Sequence, residues 1–146
     1  MRLAIITDIH GNMDALNEVL ADIDKSNVNL TICLGDMVGY GPEPEKVIQT
    51  ICQRKIPTLM GNHELSILDP KYLSWFNPLA RLSIQKTIPM LSEKSLAYIA
   101  NLKTFASQKQ ARFVHGFPPD SVITYLFQIE EAAFCSVFEA MKENIC

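Results

Sequence analysis

The stretch Leu3-Ala4-Ile5-Ile6-Thr7-Asp8-Ile9-His10-Gly11-Asn12 ends a short apolar run on an acid and a histidine. An uninterrupted run of this length predicts a strand buried on both faces in a parallel sheet, because a strand with one wet face would alternate. Asn12 then reads as a helix N-cap. Asp14 falls in the first turn, where the helix dipole favours an acid, and Leu16, Val19, Leu20 and Ile23 recur at helical spacing. The order is strand, polar turn, helix.

That order repeats along the chain. Leu30-Thr31-Ile32-Cys33-Leu34 predicts a second strand, Gly39-Tyr40-Gly41-Pro42 a loop, and Pro44 a helix start ahead of Val47, Ile48, Ile51 and Cys52, with Arg54 and Lys55 suiting its C-terminal end. Ile56-Pro57-Thr58-Leu59-Met60 predicts a third strand, its proline tolerated at the first positions or at an edge. Such alternation argues for parallel strands with helical crossovers, an α/β layered fold. The second half is less regular. Residues 65–100 read as a helical insert capping the sheet, interrupted at Pro70, Pro78 and Pro89, with Trp75, Phe76, Leu79 and Leu82 as one packed apolar stripe. Ala111-Arg112-Phe113-Val114 predicts a further strand, paired with Lys103 to Ser107 in a hairpin. Phe134, Val137, Phe138 and Met141 mark another helix, after which a strand is due near Asn144-Ile145-Cys146. No repeat or linker divides the chain, so residues 1–146 read as a single domain.

The 146 residues carry 13 basic and 16 acidic side chains. Nothing clusters Lys and Arg, which excludes a sequence-independent grip on nucleic acid or on an anionic membrane. The apolar start turns polar at Thr7-Asp8, too short for a signal-peptide core, and no stretch approaches the ~18 apolar residues of a membrane span, so a cytoplasmic location is expected. Cys33, Cys52, Cys135 and Cys146 lack any C-x-x-C spacing and read as reduced core residues.

The chemistry lies where polar residues fall relative to the strands. Each apolar run is followed by metal-ligand or hydrogen-bonding types: Asp8 and His10, then Asp36, then Asn62 and His63, then His115, which accounts for all three histidines. Ligands of open α/β sheets bind at the carboxyl edge of the strands, so these four clusters should converge. Singly, Asp8, Asp36 and Asn62 are ordinary caps and turn formers, and His10 or His115 alone is an ordinary structural histidine. Together, carboxylate, imidazole and amide without thiolate suit divalent Mn, Fe, Zn or a similar ion, and a bridging carboxylate can hold two ions ~3.5–4 Å apart.

Asp8-x-His10, Gly35-Asp36-Met37-Val38-Gly39, Gly61-Asn62-His63-Glu64 and Val114-His115-Gly116 match in order and spacing four motifs of the calcineurin-like metallophosphoesterases, and the chain resembles that family over residues 8–116. The resemblance implies a two-sheet β-sandwich flanked by helices and a dinuclear centre that hydrolyses a phosphomonoester or phosphodiester through metal-bound hydroxide. It implies that Asp8 and His10 bind the first metal, that Asp36 bridges both, and that Asn62 and His115 bind the second. His63 would be no ligand but would contact the substrate phosphate and assist the leaving group. Glu64 reads either as a carboxylate orienting a neighbouring ligand or as an exposed acid at a helix start. Tyr40 reads either as lining the substrate entrance or as a plain surface tyrosine.

The family's closing G-H-x-H motif has no counterpart, for no histidine follows His115. A truncated or split gene product is therefore expected, its second sheet incomplete, with each metal short of one protein ligand and with a second copy of the chain as one means of covering the exposed sheet edge. The alternative function is a metal-binding or regulatory remnant without turnover. A Rossmann-like nucleotide binder is disfavoured because no G-x-G-x-x-G follows the first strand. The substrate is expected to be a small phosphate ester or a phosphoprotein, and no residue pattern separates these.

Overall fold

The computed structural model describes all residues, Met1–Cys146. Strand β1 (Leu3–Ile6) pairs in parallel with β2 (Leu30–Cys33), Leu3 opposite Leu30 and Ile6 opposite Cys33, across helix α1 (Met13–Lys25). Asn12 caps α1 by accepting from Ala15 N at 3.0 Å. Helix α2 (Pro44–Gln53) follows, with its proline in the first turn, where the missing N–H has no helical partner to lose. A helical segment comprises α3 (Asn62–Leu68), a 3₁₀ turn (Pro70–Trp75), α4 (Pro78–Thr87), a second turn (Ile88–Met90) and α5 (Glu93–Ala100). The antiparallel hairpin β3 (Phe105–Gln108) and β4 (Ala111–Val114) comes next, then a 3₁₀ turn (Leu126–Gln128) and helix α6 (Glu131–Ala140). No helix is long and apolar enough to cross a membrane.

Alternation along β2 divides the core. Cys33 faces the helical layer, packed among Leu16 and Leu20 of α1, Val47, Ile48 and Ile51 of α2, and Ile99 of α5. Ile32 faces the other way and meets Leu59 and Phe113, which joins the parallel pair to the hairpin. This is the mixed α/β layering expected, with two small sheets.

Several expectations are corrected in detail. The third strand is reduced to single parallel bridges, Cys33 to Thr58 and Leu59 to Lys103, because Pro57 has no N–H to extend a ladder. Strand β1 is not covered on both faces: Ile5 is 54% exposed, since the two-stranded hairpin covers β2 but does not reach over it. The due terminal strand is one bridge, Ala111 to Ile145. Only Cys33 of the four free cysteines is buried. The stripe of Trp75, Leu79 and Leu82 faces outward, Trp75 at 65% and Leu79 at 71% exposure. Pro78 begins a new helix, so the residues before and after it do not share one helical phase, and α4 turns Ala80, Ile84 and Thr87 inward instead. The segment is tied to α2 by Ser92, whose N and Oγ donate to Glu45 at 3.0 and 2.8 Å.

Two substitutions separate these faces. Ile51→Ala, at a site with no exposure, is expected to lower unfolding free energy by about 2–5 kcal/mol in urea denaturation. Leu79→Ala is expected to change it by no more than about 0.5 kcal/mol.

Candidate metal centre

The turns leaving β1 and β2 lie against one another. Asp8 N donates to Gly35 O (3.2 Å), His10 N to Asp36 O (2.9 Å) and Gly11 N to Met37 O (2.8 Å), so both turns end at one sheet edge. Asp8, His10 and Asp36 all take left-handed backbone conformations, with φ of 55°, 50° and 54°. Such conformations cost a non-glycine residue free energy and concentrate where function over-determines them. Gly35 permits the close approach of the next loop: a Cβ there would lie 2.4 Å from Gly61 N.

Glu64 holds this loop assembly together. Sequence reading left it between an orienting carboxylate and an exposed acid, and it is wholly buried. Its Oε2 accepts from Asp36 N (2.8 Å) and Gly61 N (2.9 Å), and its Oε1 from Met37 N (2.7 Å) and Val38 N (3.3 Å). One side chain therefore fixes the backbone that carries Asp36 and the turn that carries Asn62 and His63.

All the singled-out residues meet around the Asp36 carboxylate. From its Oδ2, the Nε2 atoms of His115, His10 and His63 lie at 3.6, 3.9 and 4.0 Å. Asp8 Oδ1 is 3.7 Å from His10 Nε2. His10 Nδ1 lies 2.9 Å from Val38 O and His115 Nδ1 3.0 Å from Leu34 O. A carbonyl only accepts, so Nδ1 carries the proton in both rings and Nε2 turns a lone pair to the centre. The Asn62 amide fits the same pattern. With its oxygen inward, that atom lies 2.8 Å from His115 Nε2 and 2.9 and 3.3 Å from the Asp36 oxygens, all acceptors. That orientation is favourable only with a cation among them; without one the amide turns over and donates to the same three atoms. A buried set rich in acceptors and poor in donors suits a divalent ion, and its O and N donors suit the harder first-row metals.

His63 differs from the other two rings. Proximity alone groups it with His10 and Asp36, yet its buried Nδ1 has no partner and faces Gly39, where a Cβ would lie 2.3 Å away. No carbonyl fixes its tautomer as Val38 and Leu34 fix those of the others. Its ring packs at 4.5 Å from His10, 5.1 Å from Tyr40 and, edge on, 5.0 Å from Phe76. Tyr40 thus borders the site while half-exposed. Burial, followed by the neighbouring His10 and His115, pushes the His63 pKa down to about 3. Burial likewise raises Asp36 to about 7, and burial with the Asp36 charge raises Glu64.

Two neighbours of the site carry no signal in the sequence: Phe76 reads there as packing, and Tyr125, whose hydroxyl lies 3.3 Å from Asn62 Nδ2, as an ordinary tyrosine. Neither stands in a motif, and only the fold brings residue 125 to residue 62.

The calcineurin-like phosphoesterase family model matches residues 1–134. The chain belongs to the calcineurin-like phosphoesterase family. An uncharacterised protein of Methanocaldococcus jannaschii is 32% identical over 130 residues, covering 86% of this phosphoesterase-family chain and 54% of the relative. A symmetrical bis(5'-nucleosyl)-tetraphosphatase of Delftia acidovorans is 39% identical over 71 residues, 47% of this chain and 25% of the relative. The crystal structure of a metallophosphoesterase from Sphaerobacter thermophilus superimposes with a TM-score of 0.70 at 33% identity, covering 86% of this chain and 51% of that one. The chain spans about half the length of the M. jannaschii relative and of the S. thermophilus structure.

Replacing Glu64 by Gln puts an NH₂ where a backbone N–H now donates. The expected result is a loss of about 1–3 kcal/mol in denaturant unfolding, together with weaker metal binding by calorimetry. The raised Asp36 pKa gives a second expectation. Folded metal-free protein holds a proton that the unfolded chain releases near pH 3.8, so this residue's contribution to stability falls as pH rises from about 4 through about 7. Metal must displace that proton, so the rise in Tm produced by Mn²⁺ should be larger at about pH 8 than at about pH 6.

Proposed function

We propose that this chain carries the metal-dependent phosphoesterase centre of its family, acting on a phosphomonoester or phosphodiester with two divalent ions, Mn, Fe, Zn or similar. The reading rests on one observation: Asp8, His10, Asn62, His63 and His115, drawn from four separate segments, surround the buried Asp36 carboxylate. In this reading Asp8, His10 and Asp36 hold one ion, and Asp36, Asn62 and His115 hold the other. The chain forms a single domain in which residues 65–100 cap the sheet. The metals supply Lewis-acid polarisation of the phosphoryl group and acidify a water near neutral pH.

The protein's own part is positioning and proton control. Asp36 fixes the separation of the two ligand sets, with Glu64 holding its backbone. The Nε2 of His63, 4.0 Å from Asp36 Oδ2, is the nitrogen that faces the centre and keeps hydrogen-bonding capacity for substrate, and the ring's exclusion from the ligand set is supported by the lack of an orienting carbonyl at Nδ1. Burial keeps it neutral in the metal-free chain. A phosphate dianion placed against it favours the charged form, and the imidazolium can then protonate the departing alkoxide.

Hydrolysis of p-nitrophenyl phosphate and its bis ester by metal-stripped protein, with and without Mn²⁺, tests this. Metal-dependent turnover is expected. Asp36→Asn should lose both metal binding and turnover, whereas His63→Ala should keep metal binding and lose about 10²–10⁴-fold in kcat. Folded, metal-loaded protein without turnover would contradict the reading in favour of a binding role.

A further inference from the structure

A cavity opens beside the metal centre and meets it at Asn62. Tyr72, Trp75, Phe76, Ile123, Tyr125 and Gln128 line it around Asn62, enclosing about 120 Å³. Four of these are aromatic and none is cationic, so no charged partner for an anionic group stands among the lining residues. The aromatic wall reaches the centre directly, through Phe76 against the His63 ring and the Tyr125 hydroxyl against Asn62.

The rings are held by one another rather than buried in a core. Tyr72 and Trp75 meet edge to face at 5.6 Å, and Tyr125 stacks on Phe127 at 5.4 Å with 8° between planes. Trp75 nevertheless stays 65% exposed, its surface open to a ligand. Gln128 is anchored through its amide oxygen, which accepts from Tyr125 N at 2.9 Å, and its NH₂ group is left as a donor at the wall. Flat aromatic faces with one side-chain amide at the edge are the means by which proteins hold a planar heteroaromatic ring.

We propose that this cavity binds the flat aromatic group of the phosphate ester, a nucleobase, stacked on Trp75 or Phe76 with its edge toward Gln128. The inference rests on the phosphoesterase reading for the presence of the phosphate. It adds that the substrate is a nucleoside phosphate rather than an aliphatic or sugar phosphate. Phe76, one wall of the cavity, has its ring centroid 5.0 Å from that of His63, so a base in the cavity and a phosphate at the centre would be neighbours.

Trp75 is the only tryptophan of the chain, so its fluorescence reports the cavity without any need for turnover. The full chain, with and without Zn²⁺, is titrated with adenosine 5'-monophosphate, phenyl phosphate and ribose 5-phosphate. The nucleotide is expected to bind at least about tenfold more tightly than ribose 5-phosphate. Gln128→Ala, at an exposed position, should shrink that ratio and leave ribose 5-phosphate binding unchanged; Phe76→Leu should shrink it as well. Phenyl phosphate binding as tightly as the nucleotide would keep the aromatic site and overturn the nucleobase. Equal binding of nucleotide and ribose 5-phosphate would overturn the proposal whether or not the protein hydrolyses esters. Absence of hydrolysis with the binding preference intact would count only against the phosphoesterase reading.

Discussion

The buried carboxylate of Glu64 is the constraint from which the site follows. An anion with no exposure is sustained only by donors, and here they are the backbone N–H groups of Asp36, Met37, Val38 and Gly61. Those donors belong to two loops distant in sequence. Satisfying Glu64 therefore fixes where Asp36 stands relative to Asn62 and His63 before any ligand is present. The loops must approach closely to share it, which explains glycine at residues 35 and 61, where added Cβ atoms would meet backbone at 2.4 Å.

The same arrangement leaves the metal-free chain in an unfavourable state. Asp36 is buried near a second carboxylate, the His10 and His115 imidazoles point lone pairs inward, and three ligand-type residues hold left-handed backbone angles. Each feature costs stability in an empty cluster, and a divalent cation offsets them together. Protein stability and metal occupancy are thus linked through one carboxylate.

Much of this was legible in the sequence. The strand–helix order was readable because Leu3 to Ile6 and Leu30 to Cys33 are unbroken apolar runs, each followed by helical periodicity. The site was readable because its residues stand at strand ends, so order along the chain predicts convergence in space. What failed was burial. Nothing local distinguishes Leu79 from Ala80 as the inward residue of α4, since Pro78 resets the helical phase. Ile5 looked buried by pattern and is exposed because the hairpin is too narrow to cover it. Glu64 and Tyr125 act through partners about 28 and 63 residues away, at separations that no periodicity encodes.

The central claim is that Asp36 joins two metal sites. Electron paramagnetic resonance of the chain saturated with Mn²⁺ tests it most directly, because ions bridged by one carboxylate at ~3.5–4 Å are exchange-coupled. The account predicts a coupled spectrum from the unmutated protein that is absent in Asp36→Asn, where only the spectrum of unbound Mn²⁺ remains. A spectrum of isolated ions from the saturated unmutated protein would contradict it.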